Sequence, residues 1–270
     1  DAEGWLYDYK SKCTDCGAKQ IAEALAGDPE LKALGVTTAS HVLHATHSHS
    51  APDFIGGWGF VPNWYMAQVT DTIKATAKAA VLSMQQAKIE VGEIEARPYN
   101  SERRDTYRSA EEQQLSWLRA VGANGTIATL GAYAAHPTAN GTNSGVASGD
   151  WVALFERRLE ERFGGVGLHI MTGLGNMSNS GGVTIGTKLA DLLPAVGKGR
   201  PVLGGDLKLA QKTYTSPITN VPLDALGTPG FFDRRFDPTP VAVSVGKEQT
   251  APCTSASAAR PKLSVRTSPR

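Results

Sequence analysis

Leu115-Ser-Trp-Leu-Arg-Ala-Val121, then Gly122-Ala-Asn-Gly125, then Thr126-Ile-Ala-Thr-Leu-Gly-Ala-Tyr-Ala-Ala135, is the stretch that decides the fold. Two runs rich in β-branched and apolar residues flank an Asn124-Gly125 pair, which is the signature of a hairpin. Downstream, Trp151 to Phe163 places Val152, Leu154, Phe155, Leu159 and Phe163 in one apolar stripe, a helix, with Asp150 as its expected N-cap. Gly167-Leu-His-Ile-Met-Thr172 follows as a short buried strand. Strand, strand, helix, strand predicts an α/β fold with a mixed sheet flanked by helices.

The same alternation extends upstream. Gln20 to Ala26 is a short Ala-rich helix, and Asp28-Pro29-Glu30 caps a second that ends at Gly35. The longest predicted helix runs from Pro62 to about Ala87, with Tyr65, Val69, Ile73, Ala77, Ala80 and Met84 at three-to-four spacing. Lys88 to Glu95 alternates with period two and reads as a strand.

Composition excludes several functions. The 270 residues carry 27 basic and 26 acidic side chains, so nothing in the charge balance points to nucleic acid. No apolar stretch approaches the ~20 residues that a membrane span requires. Lys247 to Arg270 is rich in Ser, Thr, Ala, Pro and Arg and offers little to bury. We expect one domain over residues 1–246 and a flexible tail or linker over 247–270. Cys13-Thr-Asp-Cys16 and Cys253 are the three cysteines. Their spacing is compatible with a disulfide or inert thiols, with redox chemistry, or with a metal.

Function is concentrated in three polar loops. The first is His41-Val-Leu-His44-Ala-Thr-His47-Ser-His49-Ser-Ala-Pro-Asp53, which holds four of the six histidines within nine residues. Read as the end of a strand, it projects His47 and His49 from one face while Ser48 points away. Neutral imidazole is the commonest metal ligand, so this pair is the candidate metal or catalytic group. His41 and His44 read as packing or supporting groups. The second loop runs from His136-Pro137 to Ser148-Gly-Asp150, and the third from Gly173 to Gly182 around Asn176-Met-Ser178. The third lacks the lysine of a phosphate-binding loop. His169, in mid-strand, reads as structural. In α/β sheets, loops at strand carboxyl ends converge on one crevice.

These motifs carry a family resemblance. Thr46-His47-Ser-His49-Ser50-Ala-Pro52 resembles the T-H-T-H-S-G-P segment of the neutral/alkaline non-lysosomal ceramidases. His136-Pro-Thr-Ala-Asn-Gly-Thr-Asn143 with Ser148-Gly149-Asp150 is similar to their H-P-T-x-x-x-x-N…S-G-D segment. Gly175-Asn176-Met-Ser178-Asn179 resembles their G-D-V-S-P-N loop, and Asn100 to Tyr107 loosely resembles N-R-S-P-x-x-Y.

The resemblance implies a zinc amidase that cleaves ceramide-like N-acyl sphingosine to sphingosine and fatty acid. It implies His47 and His136 as zinc ligands and His49, Arg103 and Ser178 as the catalytic set. In that scheme zinc polarises the amide carbonyl, His49 steadies the developing oxyanion, and Arg103 or Arg104 reaches the lipid's polar head. The family's remaining ligands, a Glu in P-G-E-x-T and a Tyr, have no counterpart here, because Pro229-Gly230 runs into Phe231. The chain therefore reads as a catalytic domain incomplete at both ends, expected in a secreted or extracytoplasmic setting. The rival readings are a metal-dependent hydrolase of other N-acyl amides or esters, and a non-catalytic remnant or binding domain.

Overall fold

A computed structural model describes residues 2–7, 15–55, 61–104, 112–141, 145–204, 212–215 and 242–245. In chain order the helices are α1 (Ala18–Gly27), α2 (Pro29–Ala33), α3 (Asn63–Leu82), α4 (Asp150–Phe163) and α5 (Ile185–Leu192). The strands are β1 (Lys88–Glu95), β2 (Asn100–Glu102), β3 (Gln114–Gly122), β4 (Gly125–Tyr133), β5 (Val166–Met171), β6 (Met177–Asn179), β7 (Arg200–Val202), β8 (Lys212–Thr215) and β9 (Ala242–Val245). The main sheet has the order β5-β4-β3-β1-β7, while β2 pairs with β6 and β8 with β9. Strand β5 is parallel to β4, and the other pairings are antiparallel. This is the mixed α/β architecture expected from the sequence.

The decisive hairpin forms, closed by the pair Gly122↔Gly125 around Ala123-Asn124. Gly125 takes φ 113°, a conformation open to a residue without Cβ. Helix α4 then carries the chain over one face of the sheet into β5. That face buries Leu115, Trp117, Tyr133 and Met171 against Trp151, Phe155 and Leu159 of α4 and Ile185 and Leu189 of α5. The two layers approach closely because Gly131 lies beneath the Phe155 ring, where a Cβ would strike it. Arg119 also faces this core and is fully buried. It meets Glu90 at 3.4 Å and the Pro194 carbonyl at 3.1 Å, and its guanidinium lies 3.9 Å from the Phe163 ring centre. The opposite face of the sheet leaves Leu118, Leu168 and Ile170 exposed, and no described helix covers it.

Helices α1, α2 and α3 pack together through Ile21, Leu25 and Leu31 against Ile73 and Ala77. Asp28 caps α2 as expected, its Oδ1 accepting the Glu30 and Leu31 N–H groups at 2.9 and 3.2 Å. Leu43 joins this cluster, and Phe54 joins a neighbouring one with Cys16, Val61 and Met66. The first polar loop is thereby anchored at both ends by apolar side chains.

Several expectations are corrected. The longest helix stops at Leu82 rather than near Ala87, leaving Met84 68% exposed. Residues 41–48 form no strand. His47 has φ 62°, which breaks extended geometry, and its N–H bonds to the Ala2 carbonyl rather than to a ladder. The N-cap of α4 is Gly149, and Asp150 sits inside the first turn at φ 55°. The Gly173–Gly182 segment contains β6, and α5 follows it, an element whose periodicity the sequence reading passed over. Of the alternatives open for the cysteines, the disulfide is the one present at Cys16, which is bonded and buried. Cys13, Cys253, Asn143, Pro229–Phe231 and the expected tail over 247–270 lie outside the described residues.

Candidate metal centre

The three polar loops meet. Since β4 and β5 are parallel, the loops that follow them leave the sheet at the same end. The His136 N–H donates to the Met177 carbonyl at 2.8 Å, joining the second loop to the third. The His49 N–H donates to the Pro137 carbonyl at 3.1 Å, and the Ser148 N–H to the Ser50 carbonyl at 2.8 Å, joining the first loop to the second. Ser48, wholly buried, points away from the histidines and donates to the Ser148 carbonyl at 2.6 Å. The opposed directions inferred for His47/His49 and Ser48 are present, achieved by a left-handed turn at His47 rather than by a strand.

His47, His49 and His136 form one cluster, with a ligand atom of each within 4.8 Å of the others. The His47 Nδ1 lies 2.7 Å from the Glu3 carbonyl, and the His136 Nδ1 lies 2.9 Å from the Leu174 carbonyl. A carbonyl only accepts, so each Nδ1 carries the proton, and each neutral ring then presents an Nε2 lone pair. Those two Nε2 atoms stand 3.2 Å apart, and the His49 Nε2 lies 3.3 Å from that of His47. Lone pairs facing each other at such a distance do not bind one another, but a cation between them satisfies both. Tetrahedral zinc with bonds of 2.0–2.1 Å has ligand–ligand edges of roughly 3.3 Å, so the spacing fits that ion.

Electrostatics favour the neutral form of His136 and His49. Burial drives the His136 imidazole down to about 4, and the positive charge of Arg103 adds to the effect. His49 is lowered as well, chiefly by burial, with the Glu3 carboxylate opposing.

The short β2–β6 ladder sets the remaining polar groups. It pairs Ser101 with Ser178 and Glu102 with Met177, and the Arg103 N–H continues it to the Asn176 carbonyl at 2.9 Å. The Arg103 Nε donates to Ser178 Oγ at 2.9 Å. Arg104 turns aside, its Nε 3.1 Å from the Glu102 carboxylate. The Arg103 charge reaches His49 and His136.

The neighbouring polar residues have structural duties. Asp150 accepts the Trp151 N–H at 2.7 Å and the Asn140 N–H at 2.8 Å, tying the start of α4 to the second loop. Asp53 accepts the Ile55 N–H at 2.8 Å. The His44 Nε2 accepts the Met171 N–H at 2.9 Å and so holds the end of β5. His169 packs edge-on to Trp151 in the core, where burial lowers it to about 3. The sequence reading missed Glu3 and Leu174, whose backbone carbonyls orient His47 and His136. Glu3 lies 44 positions from its partner, and no spacing rule links them.

No family model and no curated protein matches the chain. Its fold is similar to the crystal structure of neutral ceramidase from Pseudomonas aeruginosa, with TM-score 0.58 and 20% identity. That match covers 74% of this chain and 38% of the ceramidase. It is also similar to a ceramidase complexed with C2, at TM-score 0.56 and 19% identity, over 82% of this chain and 39% of the other. The neutral-ceramidase likeness read from the motifs is thus present at the level of the fold. The chain spans about two fifths of the length of these structures.

Proposed function

We propose that this chain carries the histidine half of a zinc-dependent amide hydrolase that cleaves N-acyl sphingosine to sphingosine and fatty acid. The observation that carries the reading is the convergence of two carbonyl-anchored imidazoles, His47 and His136, with their Nε2 lone pairs 3.2 Å apart. The ceramidase fold supports the choice of lipid amide over other substrates.

In this scheme His47 and His136 hold the ion. When bound, zinc supplies Lewis acidity that polarises the amide carbonyl and acidifies water. His49, beside the pair and neutral, is placed to donate a hydrogen bond to the developing oxyanion. Arg103, steadied by Ser178, faces the same space with a fixed charge and orients the polar head of the lipid. The disulfide at Cys16 supports a secreted or extracytoplasmic location, where such bonds persist. No helix among the described residues is long and apolar enough to cross a membrane.

The test is zinc content together with hydrolysis of a fluorescent N-acyl sphingosine by the full-length protein. The reading requires about one zinc per chain and rates that fall as the acyl chain is shortened. Protein that binds no zinc ends it. Hydrolysis of short acyl amides or esters in preference to the long-chain lipid moves it to a different substrate class.

A further inference from the structure

We propose that Asn124, at the tip of the β3–β4 hairpin, is the N-glycan acceptor of this chain. The inference rests on the extracytoplasmic location proposed above and not on the metal.

The sequence contains three Asn-x-Ser/Thr triplets, Asn124-Gly-Thr126, Asn140-Gly-Thr142 and Asn176-Met-Ser178. Such a triplet is the acceptor pattern for N-glycans, which are bulky and need a surface position. The structure separates the three. The Asn140 Nδ2 donates to Ser148 Oγ at 2.7 Å, and its backbone N–H donates to Asp150 at 2.8 Å. A sugar on that nitrogen would have to enter the joint between the second loop and α4. In the third triplet the Asn176 carbonyl accepts the Arg103 N–H at 2.9 Å, and Ser178 Oγ accepts the Arg103 Nε at 2.9 Å. A glycan there would crowd the side chains grouped around the histidine cluster.

Asn124 has the opposite surroundings. Ala123, Asn124 and Gly125 are all exposed, and Asn124 is the second of the two residues that turn the chain inside the Gly122↔Gly125 pair. The base of the turn is held, since Gly165 packs against the Thr126 and Ile127 carbonyls. A sugar at the tip therefore displaces no buried contact. It also stays clear of the cluster. Strand β4 has nine residues, and at ~3.3 Å per residue about 26 Å separates Gly125 from Tyr133, the end that leads to His136.

The modification is a glycosyl transfer from a polyprenyl-diphosphate-linked oligosaccharide, catalysed by a secretory-pathway oligosaccharyltransferase. A bond forms between the Asn124 Nδ2 and the anomeric carbon of the first sugar. The bond from that carbon to the phosphate oxygen breaks, the polyprenyl diphosphate leaves with the electron pair, and the amide gives up one proton.

The experiment expresses the full chain behind a secretory leader in eukaryotic cells, beside Asn124→Gln, Thr126→Ala and Thr126→Ser. Peptide-N-glycosidase F in heavy-oxygen water converts each glycosylated Asn to a labelled Asp, which peptide mapping locates. We expect a slower-migrating wild-type band that collapses on enzyme treatment, with label at Asn124 and none at Asn140 or Asn176. Asn124→Gln and Thr126→Ala should lose the shift, and Thr126→Ser should keep it. Secreted wild type without label at Asn124, or labelled at Asn140 or Asn176, overturns the assignment. Label at Asn124 in protein that binds no zinc supports it while ending the metal reading. Natural full-length protein confined to the cytosol removes the location, and this inference with it.

Discussion

The Nε2 atoms of His47 and His136, 89 positions apart in sequence, stand 3.2 Å from one another while the Nδ1 of each ring is bound to a backbone carbonyl. Neither ring can rotate to relieve the encounter without breaking its carbonyl bond. The His47 backbone is itself held at φ 62°, a left-handed conformation that costs a non-glycine residue about 1–2 kcal/mol. The fold thus maintains a repulsive, strained contact, which a bound cation turns into a favourable one.

Zinc should therefore stabilise the protein through these two rings. At a free concentration 100 times its dissociation constant, a single site adds about 2.7 kcal/mol. For a domain of this size that amounts to a rise in Tm of roughly 5–10 °C. Scanning calorimetry with and without zinc should show the rise, its reversal by EDTA, and its loss in His47→Ala and His136→Ala. Equal shifts in the variants would place the metal elsewhere.

Arg103 and Arg104 are neighbours with different surroundings, and their substitution should separate. Arg103→Ala removes the charge that reaches His49 and His136, together with the bond to Ser178. Hydrogen bonds to charged groups are worth ~1.5–3 kcal/mol, so kcat/KM for the N-acyl lipid should fall about 10–100-fold. Arg104→Ala breaks a pair with Glu102, and its rate should stay within about threefold of wild type. A larger loss at Arg104 would reverse the assignment.

Much of this arrangement was legible in the residues. The hairpin, α4 and β5 follow from local periodicity and turn chemistry, which a one-dimensional pattern records. The direction of His47 and His49 was readable too, although the backbone producing it was not. A left-handed residue in a β-branched run is imposed by contacts with residues 2–3, which no window centred on His47 contains. Glu3 and Leu174 escaped for a related reason, because they act through main-chain carbonyls that every residue type possesses. The three-residue strands β2 and β6 have too few positions to show a period, and only their pairing reveals them.

Gly186 should tolerate no side chain. It lies where α5 crosses α4, and a Cβ there would strike the Trp151 carbonyl oxygen and stand 2.8 Å from the Phe155 nitrogen. Both obstacles are helix backbone, so neither can swing aside. Gly186→Ala gains helix propensity worth ~1 kcal/mol but forces the two helices apart, at a cost of about 1–3 kcal/mol or more. Urea titration should show a net loss of stability. A gain would mean that the α4–α5 contact is looser than described.

Glu156 gives the protein a pH dependence unrelated to the metal cluster. Burial between α4 and β5 raises its carboxyl from an ordinary 4.5 to about 7, against the lowering effect of the His169 N–H that it accepts at 3.0 Å. The folded state therefore holds this proton more tightly than the unfolded chain. Its contribution is fully present below about pH 4.5 and is lost as pH rises through about 7, where the charged form must be kept in a poor environment. Because Glu156 is only partly enclosed, the difference is discounted to ~1–3 kcal/mol. Glu156→Gln keeps an acceptor for the His169 N–H and carries no charge at any pH. Urea denaturation should find it more stable than wild type at pH 8 by about that amount, and close to wild type at pH 4.5. Parallel stability curves for the two proteins across this range would show that the carboxylate is solvated well enough to ionise freely.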